Sequence, residues 1–129
     1  MATILVIEDT EAIRFTMAAS LRYHGHTVIE AGNGREGMER HAQGLGAFDL
    51  VVCDLLMPEV SGAEAIKRIH SRAADLPILA VSGARDVLEE VRIRSASDTI
   101  GALAKPFTRT EFIGAVDRLL SLRAIPALD

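Results

Sequence analysis

Residues 48–54 read Phe-Asp-Leu-Val-Val-Cys-Asp, an apolar run that ends in an acidic side chain. The run is too short for a helix, and residues that interrupt regular structure flank it, the glycines of 44–46 on one side and Pro58 on the other. Such a run is typical of a strand that is buried on both faces of a parallel sheet. We therefore predict a central strand at Asp49–Cys53, with Asp54 at its carboxyl end.

Two further apolar runs end in charged residues in the same way. The first is followed by Glu8 and Asp9, and the second by Lys105. The carboxyl ends of parallel strands share one edge of a sheet, and ligands bind in the crevice there. We therefore expect these three side chains to meet Asp54 in one crevice, although they are far apart in the sequence.

The pattern alternates between strands and helices along nearly the whole chain. The predicted strands are Thr3–Ile7, Thr27–Glu30, Asp49–Cys53, Ile78–Val81 and Gly101–Ala104, and the predicted helices are Glu11–Tyr23, Arg35–His41, Ala63–His70, Asp86–Ser97 and Glu111–Leu122. We expect Gly25 to end the first helix, Asn33 to lie in a turn, and Thr108 with Glu111 to form a capping box. The alternation predicts an α/β fold, a doubly wound five-stranded parallel sheet with five helices.

Composition excludes several classes of protein. The chain has 129 residues and a net charge of −4, without a dense basic run, so direct nucleic-acid binding is not expected. No apolar stretch approaches the roughly 18 residues of a membrane span, and no secretory signal precedes the first strand. The single cysteine, Cys53, predicts a small buried residue and no disulfide. We expect a cytoplasmic protein with one domain over residues 1–122, a short tail over 123–129 and no output domain.

The acidic residues predict a site for a hard cation. Adjacent acids at a strand end point in different directions, so we expect only one of Glu8 and Asp9 to bind an ion directly and the other to act through water. Asp54 completes a set of oxygen ligands of the kind that Mg²⁺ prefers. Without a cation, the clustered carboxylates would repel one another. For Asp9 alone, N-capping of the first helix is an equally good interpretation.

Asp54 and Lys105 also suit phosphoryl transfer. A carboxylate can attack phosphorus to form an acyl phosphate, and an ammonium can neutralise charge on the phosphoryl oxygens. The alternative for Lys105 is a surface lysine whose stem lies along the protein. Ser82, which precedes Gly83, could donate a hydrogen bond to the transferred group or form a turn.

Taken together, these residues resemble those of a known family, the receiver domains of two-component response regulators, in their single-domain, chemotaxis-regulator-like form. The resemblance covers about residues 3–122. Glu8 and Asp9 resemble the acidic pair of that family, Asp54 the phosphoacceptor and Ser82 the Ser/Thr switch residue. Lys105 with Pro106 and Phe107 resembles its Lys-Pro signature, and Met57-Pro58 with Gly62 resembles the loop after the phosphoacceptor.

The resemblance implies a function. Mg²⁺ would be bound by Glu8, Asp9, Asp54 and the backbone carbonyl of Leu56, and the Lys-Pro peptide bond would be cis. The phosphoryl group would come from a histidine kinase or a histidine phosphotransfer protein. The chain would then be a phosphoprotein of signal transduction or a phosphorelay. It would act through an unidentified downstream protein, and it would catalyse only its own phosphorylation and dephosphorylation.

The sequence departs from the family at the position three residues before the lysine. Ala102 stands where the family usually has a switch aromatic, so a docking module that signals independently of phosphorylation is the alternative function. Leu56 and Ala84, apolar or small, flank the phosphoacceptor where relatives can have polar residues, which suggests slow self-dephosphorylation.

A Mg²⁺-dependent phosphohydrolase would need a general acid and a substrate pocket that the sequence does not offer. The four histidines lie in separate segments and are interpreted as surface residues: His24, His26, His41 and His70.

Overall fold

Five strands alternate with helices in the structure, a computed structural model that describes residues 2–44, 46–57, 61–89 and 99–124, with side chains through residue 122. The strands are β1 (Thr3–Ile7), β2 (Thr27–Ala31), β3 (Leu50–Asp54), β4 (Ile78–Ser82) and β5 (Ile100–Ala104). The helices are α1 (Glu11–Tyr23), α2 (Gly34–Gln43), α3 (Gly62–Arg72), α4, which begins at residue 85 and is described through residue 89, and α5 (Arg109–Ala124).

The strands form one parallel sheet in the order β2-β1-β3-β4-β5. This order confirms the predicted doubly wound α/β fold, with the strand order reversing next to β1. Parallel connections place the carboxyl ends of all strands at one edge, and the crevice beside the reversal is the usual binding position of such sheets.

The bounds of most elements differ from the predicted ones by one or two residues. Strand β3 is shifted by one residue, because Asp49 lies before the strand and its carboxylate accepts a hydrogen bond from the Thr3 amide at 2.8 Å. Asn33 does not form a free turn: its side chain accepts from the Glu36 amide at 2.8 Å and so caps α2. The predicted end of the fourth helix, at Ser97, lies outside the described residues.

Alternate residues along the strands pack on opposite faces of the sheet. On β1, Ile4 and Val6 join the apolar cluster under α1 and α5, whereas Leu5 and Ile7 join the cluster under α2 and α3. All four side chains are buried. Burial on both faces explains why the strands read as continuous apolar runs rather than as alternating patterns.

The predicted helix signals at two positions are confirmed. Gly25 has a φ of 92° just after the His24 C-cap of α1, a left-handed conformation that favours glycine. At the start of α5, Thr108 and Glu111 exchange hydrogen bonds of 2.8 and 3.0 Å, the reciprocal pair of a capping box. In the part of the chain that the structure describes, no helix has both the length and the apolar character that crossing a membrane requires.

Candidate functional site

Three acidic side chains meet at the carboxyl edge of the sheet. Glu8 and Asp9 follow β1, and Asp54 is the last residue of the neighbouring strand β3. Each offers a carboxylate oxygen, and these three oxygens lie within 4.8 Å of one another. Glu8 and Asp54 are buried, whereas Asp9 is exposed. The predicted convergence of these residues is therefore confirmed.

Lys105 extends from the end of β5 to the same place. Its Nζ lies 2.9 Å from Oε1 of Glu8 and 3.6 Å from Oδ2 of Asp54. The side chain is 21% exposed, so its ammonium faces the acids and is not the freely solvated group of a surface lysine. The ammonium thus lies beside two of the three carboxylates, so the cluster contains more acidic groups than this one cation can balance.

The buried position of Glu8 affects its ionisation. Burial raises the pKa of the Glu8 carboxyl above its ordinary value, and the hydrogen bond from Lys105 opposes this rise. The Thr10 amide also donates to Oε2 of Glu8, at 3.1 Å. Both carboxylate oxygens of Glu8 therefore have donors, although the side chain is 0% exposed.

Asp9 does not cap α1. The N-cap residue of this helix is Thr10, and no side chain caps the helix there. Asp9 is not hydrogen bonded to any residue among those the structure describes, so its carboxylate remains available. The sequence predicts that only one of the two adjacent acids binds an ion directly. The geometry does not require this restriction, because the buried Glu8 and the exposed Asp9 both offer an oxygen to the same place.

Leu55 and Gly62, on either side of the loop after β3, lie tightly against the strand end. The Gly62 amide donates to the carbonyl of Leu55 at 3.1 Å, and a Cβ at Gly62 would collide with the backbone carbonyl of Asp54. Glycine is therefore required where α3 begins. The Leu56 amide donates a long hydrogen bond, 3.4 Å, to Oδ1 of Asp54, and the Leu56 side chain is 56% exposed. The role of the Leu56 carbonyl as a metal ligand stays a prediction.

Cys53 lies beneath the strand end, next to Asp54 and Gly62. The thiol is fully buried and donates weak hydrogen bonds to the backbone carbonyls of Asp54, at 3.4 Å, and Gly62, at 3.8 Å. Burial raises the pKa of this thiol, and the negative charges of Asp54 and Glu8 raise it further. The prediction of a small buried residue is confirmed.

Ser82 ends β4, the strand next to β3. It is fully buried, and its Oγ accepts a hydrogen bond from the Ala84 amide at 3.0 Å. Its backbone carbonyl accepts from the Lys105 amide at 2.9 Å, which joins the ends of β4 and β5. The peptide bond between Lys105 and Pro106 is cis, as the resemblance implied. Ser82 and Lys105 therefore lie on adjacent strand ends of the same edge.

The donor set suits a hard divalent cation. Three carboxylates close together, one of them exposed, provide oxygen ligands while leaving one side open to water or to a phosphoryl group. Among the described residues, Glu8, Asp9 and Asp54 are the acidic, histidine or cysteine side chains that lie close enough together to share one ion.

Two residues of interest were not predicted. Arg14 of α1 donates from Nη1 to the backbone carbonyl of Glu8 at 2.8 Å. Arg14 also pairs with Glu30 of β2, and this acid was the sequence feature that could have indicated a cation nearby.

The interpretation of His41 as a surface residue is wrong: the side chain is 2% exposed and stacks on Phe48 with ring centroids 6.3 Å apart. Its place on the inner face of α2, toward α3, explains its burial.

The fold and this site define a receiver domain, and the comparisons agree. Residues 4–117 match the family described as response regulator receiver domain, so the chain belongs to this family of two-component signalling proteins. Receiver domains are not classical enzymes, so membership of this family does not favour the phosphohydrolase alternative.

Individual relatives show the same similarity. The chain is 37% identical over 120 residues to the response regulator MprA of Mycolicibacterium vanbaalenii, covering 91% of this chain and 49% of MprA. It therefore spans about half the length of that relative. The chemotaxis protein CheY4 of Vibrio cholerae has the same fold, with a TM-score of 0.81 at 24% identity, over 92% of this chain and 98% of CheY4.

A third similar protein was crystallised with a ligand. The response regulator TrrA of Thermotoga maritima, in complex with Mg²⁺ and BeF, matches with a TM-score of 0.81 and 28% identity. The match covers 92% of this chain and 99% of TrrA. This receiver-type protein thus binds Mg²⁺, which is consistent with an acidic cluster that could hold a metal.

Proposed function

We propose that the chain is a phosphoacceptor response regulator that takes a phosphoryl group from a histidine kinase or a histidine phosphotransfer protein onto Asp54. One observation carries the proposal: the carboxylate oxygens of Glu8, Asp9 and Asp54 lie within 4.8 Å of one another, with the Lys105 ammonium 3.6 Å from Asp54. A nucleophilic carboxylate, a place for a divalent cation and a fixed ammonium are the groups that phosphoryl transfer needs.

In the proposed reaction, a carboxylate oxygen of Asp54 forms a bond to phosphorus while the bond between phosphorus and the donor's histidine nitrogen breaks. The nitrogen keeps the electron pair, and the product is an acyl phosphate on Asp54. Lys105 would then pair with a phosphoryl oxygen. Ser82 can keep its bond from the Ala84 amide, in which its Oγ is the acceptor, and donate its own proton to the phosphoryl group.

We propose Mg²⁺ as the cofactor, held by Glu8, Asp9, Asp54 and the backbone carbonyl of Leu56. The hard oxygen donors support this assignment, as does the Mg²⁺ complex of the similar protein TrrA. The ion supplies neutralisation of the charge that builds up on the phosphoryl oxygens.

The proposed output is a contact with a downstream protein. Ala102 lies exposed on β5, opposite Ala80 of β4, where the family usually has a switch aromatic. A side chain of this size cannot rotate between a buried and an exposed position. A docking module whose signalling is independent of phosphorylation is therefore the second candidate function.

The surroundings of Asp54 also support a long-lived acyl phosphate. Leu56 is exposed beside the acid, and Ala84 follows the end of β4, so neither position offers a polar side chain to orient an attacking water. We expect the Leu56→Asn variant to lose its phosphoryl group faster than the wild type, as followed by the decay of the phosphorylated mass. Equal or slower decay in this variant would contradict the assignment.

The proposed function is tested by intact-mass measurement after incubation with acetyl phosphate. One added phosphoryl group in the presence of Mg²⁺, absent after chelation and absent in Asp54→Asn, is the expected result. An unmodified wild type that is folded would favour the docking module. Phosphorylation of Asp54→Asn to the same extent would place the acceptor elsewhere.

A further inference from the structure

Arg14 makes two contacts that join α1 to the ends of two strands. Its Nη1 donates to the backbone carbonyl of Glu8 at 2.8 Å, and its Nε donates to Oε1 of Glu30 at 3.2 Å. The side chain is 18% exposed, so these bonds are partly shielded from water. Charge-assisted hydrogen bonds of this kind are among the stronger ones in proteins.

The carbonyl that Arg14 holds belongs to the turn that presents Asp9. The turn is restrained on both sides of Asp9: Arg14 binds the carbonyl before it, and the Thr10 amide after it donates to the Glu8 carboxylate at 3.1 Å. Asp9 itself has no hydrogen-bond partner in the described part of the chain. The position of its carboxylate therefore depends on the backbone of the turn.

We propose that Arg14 is a positioning residue for the metal site, which holds the turn of Glu8 and Asp9 so that the Asp9 carboxylate stays close to those of Glu8 and Asp54. This inference rests on the proposed Mg²⁺ site. It adds to that site Arg14, which is not one of the metal ligands. Groups that orient metal ligands commonly change metal affinity by about 10-fold or more when they are removed.

Arg14 also carries a positive charge, which acts in the opposite direction. Its removal alone would make the surroundings of the site more negative and would favour a cation, which would mask a loss of positioning. A charge-neutral comparison avoids this problem. Glu30 pairs with both Arg14 and Arg22, at 3.2 Å in each case, and Arg22 lies about two turns further along α1, where it binds the Val28 carbonyl instead of that of Glu8.

The experiment compares two double variants, R14Q/E30Q and R22Q/E30Q. Each loses one arginine and Glu30, so the net charge is that of the wild type, but only the first loses the bond to the Glu8 carbonyl. Mg²⁺ dissociation constants are measured by calorimetry, and denaturant unfolding without Mg²⁺ is measured in parallel. We expect about 10-fold weaker Mg²⁺ binding in R14Q/E30Q and a change within about twofold in R22Q/E30Q.

Equal affinity in the two double variants, whether both are unchanged or both are weakened, would overturn the inference. A weakening that follows only the loss of unfolding free energy across the two variants would overturn it as well, since it would reflect general destabilisation. If a double variant does not fold, the single variants R14K and R22K replace each guanidinium but keep its positive charge, and weaker Mg²⁺ binding in R14K than in R22K is then the expected result. Absence of Mg²⁺ binding in the wild type would instead overturn the proposed function, and this inference with it.

Discussion

Glu8 and Lys105 form an ion pair of 2.9 Å although they are 97 positions apart in the sequence. The carboxylate is 0% exposed and the lysine 21% exposed, so the pair joins the end of β1 to the end of β5 across the strands between them. Because the lysine also lies 3.6 Å from Asp54, its ammonium balances part of the negative charge of the acidic cluster before any metal binds.

Removal of this cation should destabilise the protein when Mg²⁺ is absent. In Lys105→Gln, the buried Glu8 loses its ion-pair partner, and we expect the free energy of unfolding to fall by about 1–3 kcal/mol, less than for a fully buried pair because the lysine is partly exposed. Denaturant titration in a chelating buffer measures the effect. Lys67→Gln, at an exposed position on α3, is the control, and an equal loss in both variants would contradict the expectation.

Removal of the exposed acid should have the opposite effect. Asp9→Asn loses no hydrogen bond in the described structure and relieves repulsion with the two buried carboxylates, so we expect the free energy of unfolding without Mg²⁺ to rise by up to about 1 kcal/mol. Mg²⁺ stabilises the state that binds it, and this variant should gain less from added Mg²⁺ than the wild type does. The control is Asp75→Asn, which changes an exposed acid before β4 at the opposite edge of the sheet and should behave like the wild type. If Mg²⁺ stabilises Asp9→Asn as much as the wild type, Asp9 is not a metal ligand.

A methyl group at residue 62 should disrupt the strand end. Because a Cβ there meets the backbone of Asp54 and Leu55, relief requires movement of the chain itself, and we expect Gly62→Ala to lower the free energy of unfolding by at least about 1–3 kcal/mol. Gly114→Ala is the matched substitution, since no atom outside the helix's own neighbouring backbone lies within 4 Å of a Cβ at this position of α5, and alanine favours the helix by about 1 kcal/mol. We expect a lower denaturation midpoint for Gly62→Ala and a higher one for Gly114→Ala. A Gly62→Ala variant as stable as the wild type would show that the backbone at Asp54 and Leu55 can move to make room for the methyl group.

His41 should make stability depend on pH. Burial, and then the nearby Arg72 guanidinium, lower the pKa of the His41 imidazole below its ordinary value. As the pH falls below about 6.5, the unfolded chain takes up a proton that the folded protein does not, so acid lowers the free energy of unfolding. The other charged groups around the two cavities that His41 lines are Arg35, Glu39, Arg68 and Asp75.

The His41→Leu variant should show a shallower decrease of unfolding free energy between about pH 7.5 and pH 5.5 than the wild type does. Denaturant titrations at several pH values measure the two slopes. His24→Leu, at an exposed position after α1, is the control. Parallel slopes for the wild type and His41→Leu would show that His41 accepts a proton without unfolding.

The strand-end residues could be predicted from the sequence because a charged residue that closes a short apolar run marks the carboxyl end of a buried strand. Asp54 and Lys105 are of this kind, and the parallel sheet brings them together whatever the details of the loops. Arg14 could not be predicted in the same way, because an arginine in the first turn of a helix resembles any exposed cation until the neighbouring strand is in place. His41 was placed on the surface because its burial depends on the packing of α2 against α3, for which its own segment carries no signal.

The buried thiol of Cys53 offers a practical use. It is the single cysteine of the chain, it is 0% exposed, and its weak bonds to the carbonyls of Asp54 and Gly62 keep it under the edge that carries the acidic cluster. An alkylating reagent can reach the sulfur only when this part of the sheet opens, so the rate of alkylation in native buffer reports the frequency of opening. The effect of Mg²⁺ or of a phosphodonor on that rate can therefore be followed by mass in the unlabelled protein, without the introduction of a fluorophore or a second cysteine.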